Sequence, residues 1–165
     1  MRVLQDAHAG ELAAAHAYRG HWRSIRNEPT VRAEIRRIES AEWHHRSLVA
    51  DALHGLGERP RPMREFAMWT IGRFFGLLCF VSFRFAPMYA AGRLEATNVG
   101  QYNDARIHAE RLGLAELVSA LQAMSAEEVR HEVFFADQCR DHALLPLASR
   151  IGGWHPRDTA PSACG

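Results

Sequence analysis

The sequence has no lysine: its 20 basic residues are all arginine, set against 19 acidic residues for a formal net charge of +1. A balance so near neutral makes no field that would select nucleic acid. The arginines read either as solvated helix faces under a coding bias or as groups that meet anionic lipid headgroups. Cysteine is scarce. Cys79, Cys139 and Cys164 form no C-x-x-C, which excludes a rubredoxin-type iron site and a zinc ribbon and points to a reducing, cytoplasmic setting. No apolar run opens the chain, because Asp6, His8 and Glu11 interrupt it, so no secretory signal is expected. Long apolar runs are missing too. The longest uncharged stretch of the apolar segment, between Arg73 and Arg84, is ten residues, about half of what a membrane-spanning helix needs. Strand signals are nearly absent, and 165 residues suffice for one good core.

What is present is helical periodicity with sparse punctuation. A first helix is expected from Val3 to Arg26, stopped by Asn27-Glu28-Pro29. A second, capped by Thr30, should reach Leu53 and end at Gly55 and Gly57. Pro60-Arg61-Pro62 is a linker. A third helical region should start near Arg64, bend around Pro87 and run to Arg111, and Gly113 should separate it from a fourth, Leu114 to His142. The expected domain is residues 1–145, followed by an irregular tail over 146–165 that holds Gly152-Gly153 and two further prolines. Phe66 to Met88 is rich in aromatic residues. It is either a helix buried in the core or in a homodimer interface, or a monotopic surface whose Trp69, Phe74, Phe75, Phe80 and Phe83 dip into lipid.

The chemistry lies in an internal repeat. Glu11 is followed seven residues on by Tyr18, and Glu95 seven residues on by Tyr102. Downstream of each comes a Glu-x-x-His, Glu42 with His45 and Glu128 with His131, at separations of 31 and 33 residues. With 13 glutamates and 10 histidines, about one Glu-x-x-His arises by chance, so either motif alone is weak. The ordered set, repeated at matched spacing, is far more specific. Each half is expected to be a helical hairpin with a carboxylate on one helix and a carboxylate plus an imidazole on the other.

Residues three apart on a helix share a face, so each Glu-x-x-His can serve one metal site. One Glu from each of two helices, plus a Glu-x-x-His from each of two others, is the ligand set of ferritin-like di-iron and di-manganese four-helix bundles. Four carboxylates neutralise two divalent ions, and oxygen-rich ligation with two imidazoles suits iron or manganese. The expected fold is therefore all-α, a ferritin-like four-helix bundle of two hairpins, with the apolar segment opening its third helical region. The expected metal ligands are Glu11, Glu42, His45, Glu95, Glu128 and His131. Tyr18 and Tyr102 lie two turns beyond their glutamates and are expected to hydrogen-bond ligand carboxylates. His8, His16, His44 and His108 are assigned no role, and Glu39 and Glu127, close to ligand positions, are either acids that support the ligands or, as expected, solvated.

His8-Ala9-Gly10-Glu11, Tyr18-Arg19-Gly20 and Tyr102-Asn103-Asp104, with the six ligands in order, resemble the demethoxyubiquinone hydroxylases, membrane-associated di-iron enzymes of ubiquinone biosynthesis. The resemblance covers roughly Arg2 to His142. It implies a third helical region lying on the membrane and oxygen-dependent hydroxylation of a benzoquinol ring. The chain departs from the family at Ala7, which separates Asp6 from the His-Ala-Gly-Glu, at Trp43 and His44 inside the first Glu-x-x-His, and in the aromatic richness of the apolar segment.

The expected activity is a di-iron monooxygenase that uses O2 on a lipophilic, quinol-like substrate at the inner face of the cell membrane, in a cavity lined by Phe85, Met88 and Leu94. Two alternatives stand beside it. One is a rubrerythrin-like peroxidase or ferroxidase with no organic substrate. The other is a non-enzymatic helical bundle that binds a membrane or a partner.

Overall fold

A computed structural model describes residues 2–156 of the chain. Six helices and no strands occur among the described residues: α1 (Arg2–Ser24), α2 (Pro29–Gly55), α3 (Pro62–Val81), α4 (Phe85–Arg111), α5 (Ala115–Cys139) and α6 (Leu145–Gly152). The chain divides after Ser82 into two compact units. No helix among the described residues is long and apolar enough to cross a membrane.

In the first unit α1 packs against both α2 and α3. Pro29 rather than Thr30 opens α2, because its fixed φ suits a first helical turn whose N–H groups have no partner within the helix. Gly57 ends that helix at φ +73°, with its N–H on the His54 carbonyl and the Glu58 N–H on that of Leu53. Ile35, Ile38, Val49 and Leu53 are fully or almost fully buried on α2. Each contributes about 1.5–3 kcal/mol by leaving water. The α1–α3 contact has a different basis. A Cβ on Gly72 would sit 2.4 Å from the Ala13 carbonyl oxygen, and one on Gly20 would sit 2.2 Å from that of Gly76. The two backbones therefore touch through glycine, and only Gly72 and Gly76 of α3 are fully buried. The large side chains of α3 lie elsewhere on the helix, and the core-helix reading of this segment does not hold.

In the second unit α4 pairs with α5 around Met88, Leu121, Met124 and Phe135. Gly113, at φ +70°, closes α4 and releases the chain into α5. The third helical region is not one bent helix. It breaks at Ser82–Arg84, where Ser82 is extended, and Pro87 falls in the first turn of α4, where a missing N–H costs nothing. The tail also differs from expectation. Leu145–Gly152 is helical, with Pro146 in its first turn, and Gly153 terminates it in the left-handed conformation. The remainder of the expected tail, residues 157–165, lies outside the described residues.

Candidate metal centre

Each unit carries one carboxylate–carboxylate–imidazole trio. In the first, α1 supplies Glu11 and α2 supplies Glu42 and His45. One ligand atom from each lies within 4.8 Å of the others. All three side chains are buried; Glu11, the most accessible, is 3 % exposed. In the second unit, α4 supplies Glu95 and α5 supplies Glu128 and His131, again with one ligand atom apiece inside 4.8 Å of the others. Here no side chain is measurably exposed. Glu128 Oε2 and His131 Nδ1 are 3.3 Å apart, the direct result of three-residue spacing on one helix.

The donor set itself tests whether a metal fits. Two carboxylates and an imidazole packed this closely and buried this deeply would be costly as bare charges, by desolvation and by mutual repulsion. A divalent cation removes both penalties, and oxygen-rich ligation completed by one imidazole is what iron and manganese accept. The trios fit such an ion.

Tyr18 and Tyr102 are both buried, on α1 and α4 respectively, two turns past Glu11 and Glu95. Of the residues expected to line a substrate cavity, Phe85 and Met88 are buried and Leu94 is exposed.

Three buried polar groups have partners that the motifs do not display. Glu39 is not solvated: it accepts hydrogen bonds from Arg19 Nε at 2.7 Å and Trp22 Nε1 at 2.6 Å. Glu132 is buried and accepts one from Trp154 Nε1 at 3.1 Å. His8, assigned no role, is buried with Nδ1 2.8 Å from Glu65 Oε1, and Glu65 Oε2 pairs with Arg46 at 2.7 Å. Helix-face spacing marks two of them. Glu39 lies three residues before Glu42 and Glu132 four after Glu128, so each sits one turn from a Glu-x-x-His on the same side of its helix. Glu127, by contrast, stays partly accessible, with Oε1 4.0 Å from His131 Nε2.

In the same unit, the side chains around His16 of α1 are aromatic and basic. The edges of Trp43 and Trp69 meet His16, whose pKa falls below the usual imidazole value through burial and then through the Arg19 and Arg73 guanidiniums.

A family model for ubiquinone biosynthesis protein COQ7 matches residues 1–143. No curated protein matches the chain.

Proposed function

Because the chain belongs to the COQ7 family, ferritin-like di-iron hydroxylases of ubiquinone biosynthesis, we propose that Glu11, Glu42, His45, Glu95, Glu128 and His131 hold its two iron ions. The observation that carries this assignment is the pair of buried trios, each with a Glu from one helix and a Glu-x-x-His from the next. The family implies O2 and a quinone precursor as the reactants. The reaction inserts one oxygen atom into a ring C–H bond, and the second leaves as water after uptake of two electrons and two protons. Bound iron supplies the activation of oxygen. The residues of this chain would supply the rest: four carboxylates match the charge of two divalent ions, and two imidazoles would add neutral nitrogen ligands. The burial of both trios keeps bulk water from the reacting groups. Tyr18 and Tyr102, both buried, are placed by spacing to steady ligand carboxylates through their hydroxyls.

The substrate reaches this centre from a lipid surface along α3. Support comes from its exposed aromatic side chains, Phe66 at 66 % and Phe74 at 58 %, with Phe83 just beyond the helix at 91 %. Arg73, stacked over the Trp69 ring at 5.7 Å, suits a position at headgroup level.

The test combines iron analysis with product analysis. Iron-loaded protein, given a reductant, oxygen-18 and a benzoquinol with an unsubstituted ring position, should yield a hydroxylated ring carrying one labelled atom. Glu128→Ala and His131→Ala should each lose two-iron stoichiometry and all product. Two irons per chain in both variants would overturn the ligand assignment. Peroxide consumption with no labelled ring would favour a rubrerythrin-like activity instead.

A further inference from the structure

The family match ends at residue 143, and a further helix follows it. Beyond it α6 folds back on the second unit and ends at Gly153, after which Trp154 is buried, 5 % exposed. Its indole lies against Gly92 of α4: a Cβ at that position would come within 2.2 Å of the ring. The other edge faces α5, where Nε1 donates to Glu132 Oε1 at 3.1 Å in a buried bond.

Tyr89 of α4 anchors the same segment. Its hydroxyl donates to the Ala148 carbonyl at 2.9 Å and accepts from the Trp154 backbone N–H at 3.3 Å. Its ring meets the indole edge-on, with centroids 5.2 Å apart. Gly152 allows this approach, since a Cβ there would be 2.6 Å from the Tyr89 hydroxyl. A single aromatic residue thus touches both helices of the hairpin.

The heights of those contacts matter. Gly92 lies three residues before Glu95, and Glu132 directly follows His131 and lies four residues after Glu128. We infer that Trp154 is a positioning residue for the α4–α5 half of the metal centre. Its ring fixes how closely α4 approaches α5 beside Glu95, and its N–H holds the Glu132 carboxylate in one orientation, one turn from Glu128 on the same helix face. Groups outside the ligand set that orient it commonly change metal affinity by about 10–100-fold when removed. The inference rests on the ligand assignment proposed above.

The experiment is a titration of metal-free protein with Co2+, whose ligand-field bands report coordination geometry as well as affinity. Trp154→Phe keeps an aromatic ring in the groove and removes the N–H together with the five-membered half of the indole. Gly92→Ala drives the ring out without touching a ligand. Both variants should bind Co2+ about 10–100-fold more weakly than wild type, with shifted bands, while the far-UV circular dichroism of the metal-free protein is unchanged. Adding Glu132→Gln to Trp154→Phe should then cost little more, because the two act through one bond. Wild-type affinity and bands in both single variants would overturn the inference and leave Trp154 as packing alone. Loss of helicity in Trp154→Phe would also overturn it, by making the ring part of the folding core. Failure of the wild-type protein itself to bind Co2+ would overturn the ligand assignment, and this inference with it.

Discussion

Cys79 and Cys139 show how burial sets the chemistry of a single residue in this protein. Both are free thiols, and burial pushes each pKa up from its ordinary value near 9 to about 11. The Cys79 thiol also donates to the Phe75 carbonyl within its own helix, at 3.3 Å. At pH 8 an ordinary thiol is about one-tenth thiolate, while one titrating near 11 is about one-thousandth. Alkylation by iodoacetamide, followed at Cys79 and Cys139 by peptide mass spectrometry, should therefore run about 100-fold slower than for free cysteine. Rates equal to that of free cysteine at pH 8 would contradict the burial of these thiols. The same shift has a sign for stability. The unfolded chain gives up these protons near pH 9 and the folded chain only near 11, so stability falls as pH rises through that interval. At this scale the sequence was informative only where a spacing rule applied. The six proposed ligand positions follow from three-residue and seven-residue intervals that any helix converts into a shared face. The partners of Glu39 and Glu132 did not follow, because Arg19, Trp22 and Trp154 lie 17 to 22 residues away and meet them only after helices pack.

Among the elements, α3 departs furthest from an ordinary packed helix. It is fastened to α1 by close backbone contact at Gly72 and Gly76, which leaves its bulky residues outside. Its start is held electrostatically. Glu65, in the first turn, is close to His8 of α1 and pairs with Arg46 of α2, and Arg64 lies 3.1 Å from Asp6. Composition alone could not separate a core helix from a surface helix here, since both are aromatic and apolar; what decides is the glycine stripe, whose closeness to another backbone a sequence does not display. The break between α3 and α4 was misplaced for a related reason. Proline is as acceptable in a first turn as it is disruptive in a helix interior, and Pro87 takes the first role. The exposed face gives a direct expectation. Replacing Phe74, Phe75 and Phe80 with serine should abolish flotation with anionic liposomes while leaving iron content and fold intact, because these side chains are half exposed or more. Had they been core residues, each truncation would have cost about 3–5 kcal/mol and the variant would not fold. A triple variant that floats with liposomes as well as wild type would remove α3 as the lipid contact.

For the molecule as a whole, the repeat in the sequence reappears as a repeat in construction: a hairpin with a buried Glu, Glu and His in each unit. Buried carboxylates make such a design depend on what they bind. Without metal, each trio keeps like charges within a few ångströms in a place where water cannot screen them, or must take up protons. With metal, the same groups become an attraction that exists only in the folded chain, since the unfolded chain scatters them. An ion at about 100 times its dissociation constant adds about 2.7 kcal/mol per site. In a chain of this size each kcal/mol raises the melting temperature by about 2–4 °C. Iron-loaded protein should therefore melt at least about 5–10 °C above metal-free protein at pH 7, measured by circular dichroism at 222 nm under anaerobic conditions. The difference should shrink as pH falls below about 4, where free carboxylates take up protons and compete with the metal. Equal melting temperatures at pH 7 would mean that these glutamates are not held as a metal-binding set, and the ligand assignment would fall with them.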